Sequence, residues 1–230
     1  MESIAQNIRI VRENIARICA RSNRRPEDVE IVAVSKTKPA ALIEQAVQAG
    51  IKIIGENRVQ EAAEKKSEVV SPARWHLVGH LQTNKVRKAL QLFDLIESVD
   101  SLHLAEALDR ESKKQARTTD ILVQVNTSGE ASKFGVAPAD VAALIEPISE
   151  NCDSLRIRGL MTIGLFTSDL AKVRPCFSQL HQLSEKIARQ NLPNVHMQHL
   201  SMGMSGDYEI AVEEGATLLR LGRILFGERG

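Results

Sequence analysis

The sequence predicts a single (β/α)8 barrel of the TIM-barrel class, preceded by one extra N-terminal helix. Three observations support it: eight short apolar runs rich in β-branched residues, a helical pattern after each run but the last, and a polar or small residue at the end of every run. Strands alternating with helices imply a parallel sheet, and eight repeats within 230 residues favour a closed barrel over an open doubly wound sheet. No Gly-x-Gly-x-x-Gly follows the first strand, which also weighs against a dinucleotide fold. No Pro, Gly or Ser-rich linker and no shift in composition divides the chain, so residues 1–230 are expected to form one domain.

The chain opens with a helix over residues 2–22, in which Ile4, Ile8, Val11, Ile15 and Ile18 recur in steps of four and three to make one apolar stripe. Val29 to Val34 reads as a strand buried on both faces, followed at Pro39 by helical spacing of Leu42, Ile43, Ala46 and Val47. Strand parity places Val32, Val34 and Lys36 on one face and Ile31, Ala33 and Ser35 on the other, which aims Lys36 inward at the strand's end. A lysine held there is costly to keep charged, and an amine with a lowered pKa is the side chain that forms Schiff bases with aldehydes. A solvated lysine in a strand-to-helix loop is the competing reading; Lys38, next to the proline, is expected in solvent.

The second strand, Ile51 to Gly55, ends at Glu56 and Asn57, and a charged amphipathic helix runs on to about Val69. Trp75 to Gly79 ends at His80, with a helix from about Asn84; Leu95 to Val99 ends at Asp100, with a helix through Leu108. Ile121 to Val125 ends at Asn126, and a Ser and Gly-rich loop from Thr127 to Pro138 leads to the next helix. Leu155 to Met161 ends at Thr162 before a long helix through Ala188, His196 to Leu200 ends at Ser201, and Thr217 to Leu221 ends at Gly222. In such a barrel chemistry gathers at the C-terminal ends of the strands, here Lys36, Asn57, His80, Asp100, Asn126, Thr162, Ser201 and Gly222.

Thirty basic and 29 acidic side chains give no net field to attract nucleic acid or a membrane, and the cluster Lys85, Arg87, Lys88 reads as a solvated helix face. Cys19, Cys152 and Cys176 are odd in number and lack a C-x-x-C spacing, which argues for a reducing compartment and against structural zinc. The start lacks a signal-peptide pattern and no long apolar run occurs, so a cytosolic protein is expected, and its charged surface suggests a monomer.

The loops after the seventh and eighth strands carry glycine where barrels commonly bind phosphate: Leu200-Ser-Met-Gly-Met-Ser-Gly-Asp207 and Arg220-Leu-Gly-Arg-Ile-Leu-Phe-Gly227. Ser201, the amides of Met202 and Gly203, and those of Gly222 and Arg223 form a candidate cradle for one phosphate group. Ser205 is also placed to cap a helix beginning at Gly206, with Asp207 and Glu209 in its first turn. Arg220 shares inward parity with Leu218 and Gly222, and a buried guanidinium needs an acceptor, either a ligand or a core carboxylate. Arg156 and Arg158 pose the same question on the sixth strand.

These features, together with the motifs Ala33-Val-Ser-Lys-Thr-Lys-Pro39, Gly55-Glu-Asn-Arg-Val-Gln-Glu61 and Trp75-His-Leu-Val-Gly-His-Leu-Gln-Thr-Asn-Lys85, resemble the pyridoxal phosphate homeostasis proteins, relatives of the alanine racemase barrel domain, over essentially the whole chain. Arg58 stands where that family often has an aromatic residue and His80 where proline is common. The resemblance implies that Lys36 holds pyridoxal 5′-phosphate (PLP) as an internal aldimine, that Ser201 and the Gly222 and Arg223 amides bind its phosphate, and that Arg220 faces the pyridine nitrogen, with Asn57 near the ring. It also implies a non-catalytic role in vitamin B6 and amino-acid pools, with PLP-dependent apo-enzymes as possible partners. The alternative is a PLP-dependent amino-acid racemase. Racemisation needs a second proton-transfer group, which in the racemases is a tyrosine of a separate C-terminal domain; this sequence has one tyrosine, Tyr208, expected in a structural or rim position, and stops at Gly230. His76 and His80 share a strand face and offer a substitute base or two metal ligands without a third. A barrel enzyme acting on sugar phosphates would want an inward carboxylate, for which Asp100 is the strand-end candidate.

Overall fold

Eight parallel strands close into a barrel, each hydrogen-bonded to its neighbour in chain order and the first to the last. The computed structural model describes residues 3–167 and 169–227. The elements run α1 (Ile4–Arg21), β1 (Glu30–Val34), α2 (Ala40–Gln48), β2 (Ile53–Glu56), α3 (Val59–Lys66), β3 (Arg74–Leu77), α4 (Val86–Leu92) and β4 (Leu95–Val99). They continue with α5 (Leu102–Lys114), β5 (Thr119–Gln124), α6 (Val141–Asn151), β6 (Leu155–Met161), α7 (Arg174–Ala188), β7 (Val195–Ser201), α8 (Tyr208–Glu213), β8 (Leu218–Leu221) and α9 (Arg223–Phe226). The expected (β/α)8 barrel with its leading helix is the observed fold.

The leading helix starts where Ser3 accepts a hydrogen bond from the Gln6 amide, and its stripe of Ile8, Val11, Ile15 and Ile18 is buried. It packs on α2, α8 and α9, so it closes the seam between the first and last units. Between strands and helices lies the main apolar shell, with Ile31, Ala33, Ile54, Leu77, Ile96 and Ile121 on its strand side. Inside the barrel a separate small cluster joins Val32, Ile53, Val78, Leu95, Leu122, Met161 and Leu218. Each such aliphatic side chain contributes about 1.5–3 kcal/mol by leaving water. Alternation thus assigns Val32 to the barrel interior and Ile31 and Ala33 to the helical layer, as parity requires.

Element boundaries moved by a few residues for local reasons. Ile51 was expected to open the second strand, but its amide bonds to Ala46 O and closes the exit of α2. The helix after β4 runs past Leu108 to Lys114, and α3 stops at Lys66 rather than near Val69. Register shifts interrupt the pairing of β4 with β5, β5 with β6 and β6 with β7. Arg156 and Arg158 lie on the first half of β6, away from the strands' C-terminal ends, where Arg156 Nε meets Asp120 Oδ1 at 2.6 Å and Arg158 bonds Gln198. Arg87 and Lys88 are exposed on α4, as a solvated face should be. The three cysteines are buried thiols, and burial pushes Cys152 up to about 11.

The shift between β6 and β7 rests on Gly159, whose φ of 148° belongs to the region that favours glycine and whose added Cβ would lie 1.9 Å from His199 O. Gly159→Ala is expected to cost at least about 2 kcal/mol, combining backbone strain with a forced separation of two strands. Urea unfolding of the variant beside the wild type measures it; equal midpoints would show that the two strands part freely.

Candidate functional site

At the C-terminal mouth of the barrel the chain leaves β1 through a tight turn. The Ser35 amide extends the ladder to Gly55 O, and Lys38 N bonds back to Ser35 O at 2.9 Å, which leaves Lys36 and Thr37 at the turn's two central positions. Thr37 has φ = 64°, a left-handed conformation that costs a β-branched residue about 1–3 kcal/mol. Lys36 is half-buried, and Lys38 is half-buried too rather than fully solvated.

Polar groups fasten this turn from the helical side. Ser35 Oγ donates to Glu56 Oε1 at 2.6 Å, and Lys65 Nζ reaches Ser35 O, Glu56 Oε1 and Glu61 Oε1 at 2.7, 2.8 and 2.6 Å. Glu61 Oε1 also accepts the Thr37 amide at 2.5 Å. Glu56 is fully buried, and its second oxygen accepts no hydrogen bond. Burial pushes its carboxyl above the ordinary glutamate range, against the pull of Lys65 and Ser35. Next along β2's exit, Asn57 places a buried Oδ1 that also accepts nothing.

Below the mouth the barrel interior turns polar. Arg220, on β8, stands in register with Val32 of β1 and is buried. Its guanidinium donates to Ser201 Oγ and to Thr162 O, both at 2.6 Å; Ser201 in turn donates to Glu97 Oε2 at 2.5 Å, and Glu97 Oε1 meets His76 Nδ1 at 2.7 Å. An ionised carboxylate only accepts, so His76 carries its proton on Nδ1. Burial alone would raise the Glu97 carboxyl, but the His76 bond and charge, the Arg220 charge and the Ser201 bond together hold it below the ordinary range. Burial lowers Arg220, opposed by the charges of Glu97 and Asp207.

In the two glycine loops the groups expected to bind phosphate make hydrogen bonds within the fold. The Ser201 hydroxyl gives its proton to Glu97 and a lone pair to Arg220, and the Met202 amide belongs to the ladder with Leu218 O. Both groups therefore have partners within the fold. Ser205 does lie at the other loop: its Oγ accepts from the Ile224 amide at 3.2 Å, beside Gly222 and Arg223. The helix expected from Gly206 begins at Tyr208, with Asp207 at its cap position bonding the Met204 amide, so Ser205 serves the eighth loop instead of capping α8. Gly222 lies close to β1, where an added Cβ would come within 3.1 Å of Val34 O. Gly203 accepts the Arg220 amide through its carbonyl.

The remaining candidates separate. Tyr208 donates no group to the mouth; its hydroxyl bonds Asn14 of α1. His80 sits on the rim, stacked on Phe134 at 4.0 Å and 3.8 Å from Asp100 Oδ2. Asn126 organises its own loop by bonding Glu130 O and Lys133 O. Among the described residues no group of three His, Cys, Asp or Glu side chains could hold a metal ion. Sequence reasoning missed Glu56, Glu97 and Ser205. The signal for the first two was a charged residue inside an apolar strand; for Ser205 it was a hydroxyl in the glycine loop, credited to capping.

A closed parallel barrel with a lysine at the mouth of β1, a buried arginine on β8 and glycine loops beside it defines the racemase type of barrel. The family model described as "Alanine racemase, N-terminal domain" matches residues 7–230, and the chain belongs to that family, within its branch of pyridoxal phosphate homeostasis proteins. The protein of that name from Aquifex aeolicus is 40% identical over 221 residues, covering 95% of each chain; that from Pseudomonas aeruginosa is 40% identical over 230 residues, covering 100% of this chain and 97% of its own. PipY of Synechococcus elongatus, solved with PLP bound, superposes with a TM-score of 0.85 at 38% identity over 98% of this chain and all of that one. An alanine racemase of Clostridium difficile shares the fold, with a TM-score of 0.75 at 15% identity; the match spans 97% of this chain and 56% of the racemase.

Glu97 is the group that makes Arg220 tolerable inside the barrel. Glu97→Gln leaves a buried guanidinium without its carboxylate and is expected to cost about 3–5 kcal/mol near neutral pH. Because the folded carboxyl titrates below its unfolded value of about 4.3, the wild-type advantage is complete above that pH and is lost as pH falls through the folded value. Urea titrations of both proteins from pH 7 to pH 3 measure it, and a gap of the same size at pH 3 would contradict it.

Proposed function

We propose that the protein binds PLP reversibly through a Schiff base to Lys36 and serves intracellular PLP and amino-acid homeostasis without robust catalysis. What carries the reading is the convergence, on one barrel mouth, of the Lys36 turn of β1, the Arg220 layer of the adjoining β8 and the loop in which Ser205 meets Gly222 to Ile224. The names of the relatives and the PLP-bound PipY structure support the same ligand class.

The residues fit the group. The orphaned Oδ1 of Asn57 is a buried polar atom awaiting a partner, and by turning its amide Asn57 can offer an acceptor or a donor to a ring substituent. At Gly222 the eighth loop passes close to β1, where a Cβ would meet Val34 O at 3.1 Å, and its backbone N–H groups are the donors proposed for an anion. We assign the phosphate to Ser205, Gly203 and the Gly222 and Arg223 amides, and give Ser201 and Met202 the task of holding that loop and Arg220 in place. Lys36 would hold the aldehyde carbon of PLP through its amine, with one water released when the C=N bond is made.

PLP supplies an electron sink whose strength depends on its ring nitrogen. Arg220 keeps its proton, so toward that nitrogen it is a donor only, which leaves the ring unprotonated and discourages carbanion chemistry. Of the three candidates for an opposing base, His80 is stacked on Phe134 at the rim and the other two have partners elsewhere. Tyr208 is bonded to Asn14 in the helical layer and His76 is committed to Glu97. These positions favour a carrier over a racemase. With its balanced charge the carrier is proposed to act as a monomer in the cytosol, exchanging PLP with apo-enzymes. No helix among the described residues is long and apolar enough to cross a membrane.

A visible absorption band should appear on adding PLP to the wild type and be absent from Lys36→Ala, and borohydride should fix the cofactor to the wild type alone. No band in either would remove the assignment, and sustained racemisation of alanine would overturn the carrier reading. Pyridoxal, lacking the phosphate, should bind about tenfold or more weakly, because each charge-assisted hydrogen bond contributes about 1.5–3 kcal/mol. Equal affinity by spectroscopic titration would exclude the cradle.

A further inference from the structure

The Lys36 turn carries more fastening than a strand-to-helix connection needs. Lys36 is flanked by Ser35, held through its hydroxyl by Glu56 and through its carbonyl by Lys65, and by Thr37, whose amide is held by Glu61. Among the described residues Thr37 is the one non-glycine residue near the mouth with a positive φ, a conformation its side chain disfavours. One ammonium, Lys65 Nζ, ties the two carboxylates together at 2.8 and 2.6 Å and is itself largely buried. All of these groups stand on the helical side of the sheet, outside the barrel interior, so none of them is part of the cradle or of the Arg220 network. Strain that the surroundings over-determine, next to a reactive side chain, is where function is to be sought.

We propose that Glu56, Glu61 and Lys65 are positioning residues that hold the Lys36 turn in its left-handed form and thereby set how fast the Lys36 amine captures an aldehyde. Without them the turn relaxes, Thr37 returns to negative φ, and the Lys36 side chain leaves the line of β1 that aims it inward. Misplacement of a reacting group by about an ångström costs as much as 100-fold in rate. Glu61 carries the clearest part of the clamp, since its carboxylate joins the Thr37 amide to Lys65, and the Thr37 amide is among the groups that hold its carboxyl below the ordinary range against burial. The inference rests on the reading of Lys36 as the PLP lysine.

The test compares wild type, Glu61→Gln, Glu61→Leu, and Glu61→Leu combined with Thr37→Gly, by stopped-flow growth of the PLP absorption band and by hydrogen exchange at the Thr37 amide in the absence of PLP. Glu61→Gln keeps an acceptor and should stay within about threefold of the wild-type rate. Glu61→Leu should slow uptake by about tenfold or more and deprotect the Thr37 amide. Adding Thr37→Gly should restore uptake to within about threefold, because glycine adopts positive φ without help. A merely structural role does not give that rescue, since glycine adds no contact. Thermal unfolding of each variant confirms that the compared species are folded. Wild-type uptake in Glu61→Leu, or a folded double variant that stays slow, overturns the positioning role. A wild type that forms no band, or one that Lys36→Ala forms equally, instead overturns the reading beneath it.

Discussion

A guanidinium inside a barrel is the constraint to which much of this structure answers. Arg220 is buried, and a charge in that position is tolerable only if its donors find acceptors and its field finds an opposite charge. Ser201 and Thr162 provide the acceptors and Glu97, one hydrogen bond further away, the charge. Four strands are therefore tied to one another through side chains at a single level of the barrel, in addition to their backbone ladders. The usual filling of such interiors by apolar residues is kept beside that network, by Val32, Ile53, Val78, Leu95, Leu122, Met161 and Leu218.

The barrel itself was legible because each apolar run was short, β-branched and followed by a helical period. The two faces of β1 were legible because its pairings have no bulge, so alternation carries undisturbed from Ile31 to Val34, with Lys36 in the turn just beyond. Parity fails where bulges intervene, and three of the strand pairings have them. Ser201 and Ser205 show the other limit. Ser201 ends β7 and Ser205 lies in the loop that follows, and their partners, Glu97 of β4 and Ile224 of α9, lie elsewhere in the sequence. Nothing local to the loop distinguishes a serine that completes a buried network from one that meets the eighth loop. Glycine spacing marked the loops, while the partner of each polar atom was a tertiary fact.

The two polar assemblies at the mouth use the opposite faces of the sheet. Inside, the Arg220 network fixes a donor-only group where a pyridine nitrogen is proposed to lie, and so weighs on what the cofactor can do electronically. Outside, Glu56, Glu61 and Lys65 fasten the turn that carries the lysine proposed to meet it. A protein that stores an aldehyde needs ready, reversible capture with little onward chemistry, and the division between the two faces separates those demands. Racemases of this fold span nearly twice the length of the match, with 56% of the Clostridium difficile enzyme covered by it. The shared barrel is thus compatible with chemistries that its additions decide.

The closure of the barrel joins Val32 to Arg220 across almost the entire chain. Contacts of such sequence separation pay most of their loop entropy before they return any energy, so the seam between β1 and β8 is expected to form late. The lysine turn and the arginine layer come from the two sides of that seam. During synthesis on the ribosome, then, an emerging chain would display Lys36 long before it owned a place to put a phosphate, and capacity to retain the vitamin would arise in one step, with the final strand. A molecule bridging the seam would also act as its clasp, favouring the finished protein over any form in which the ends have parted.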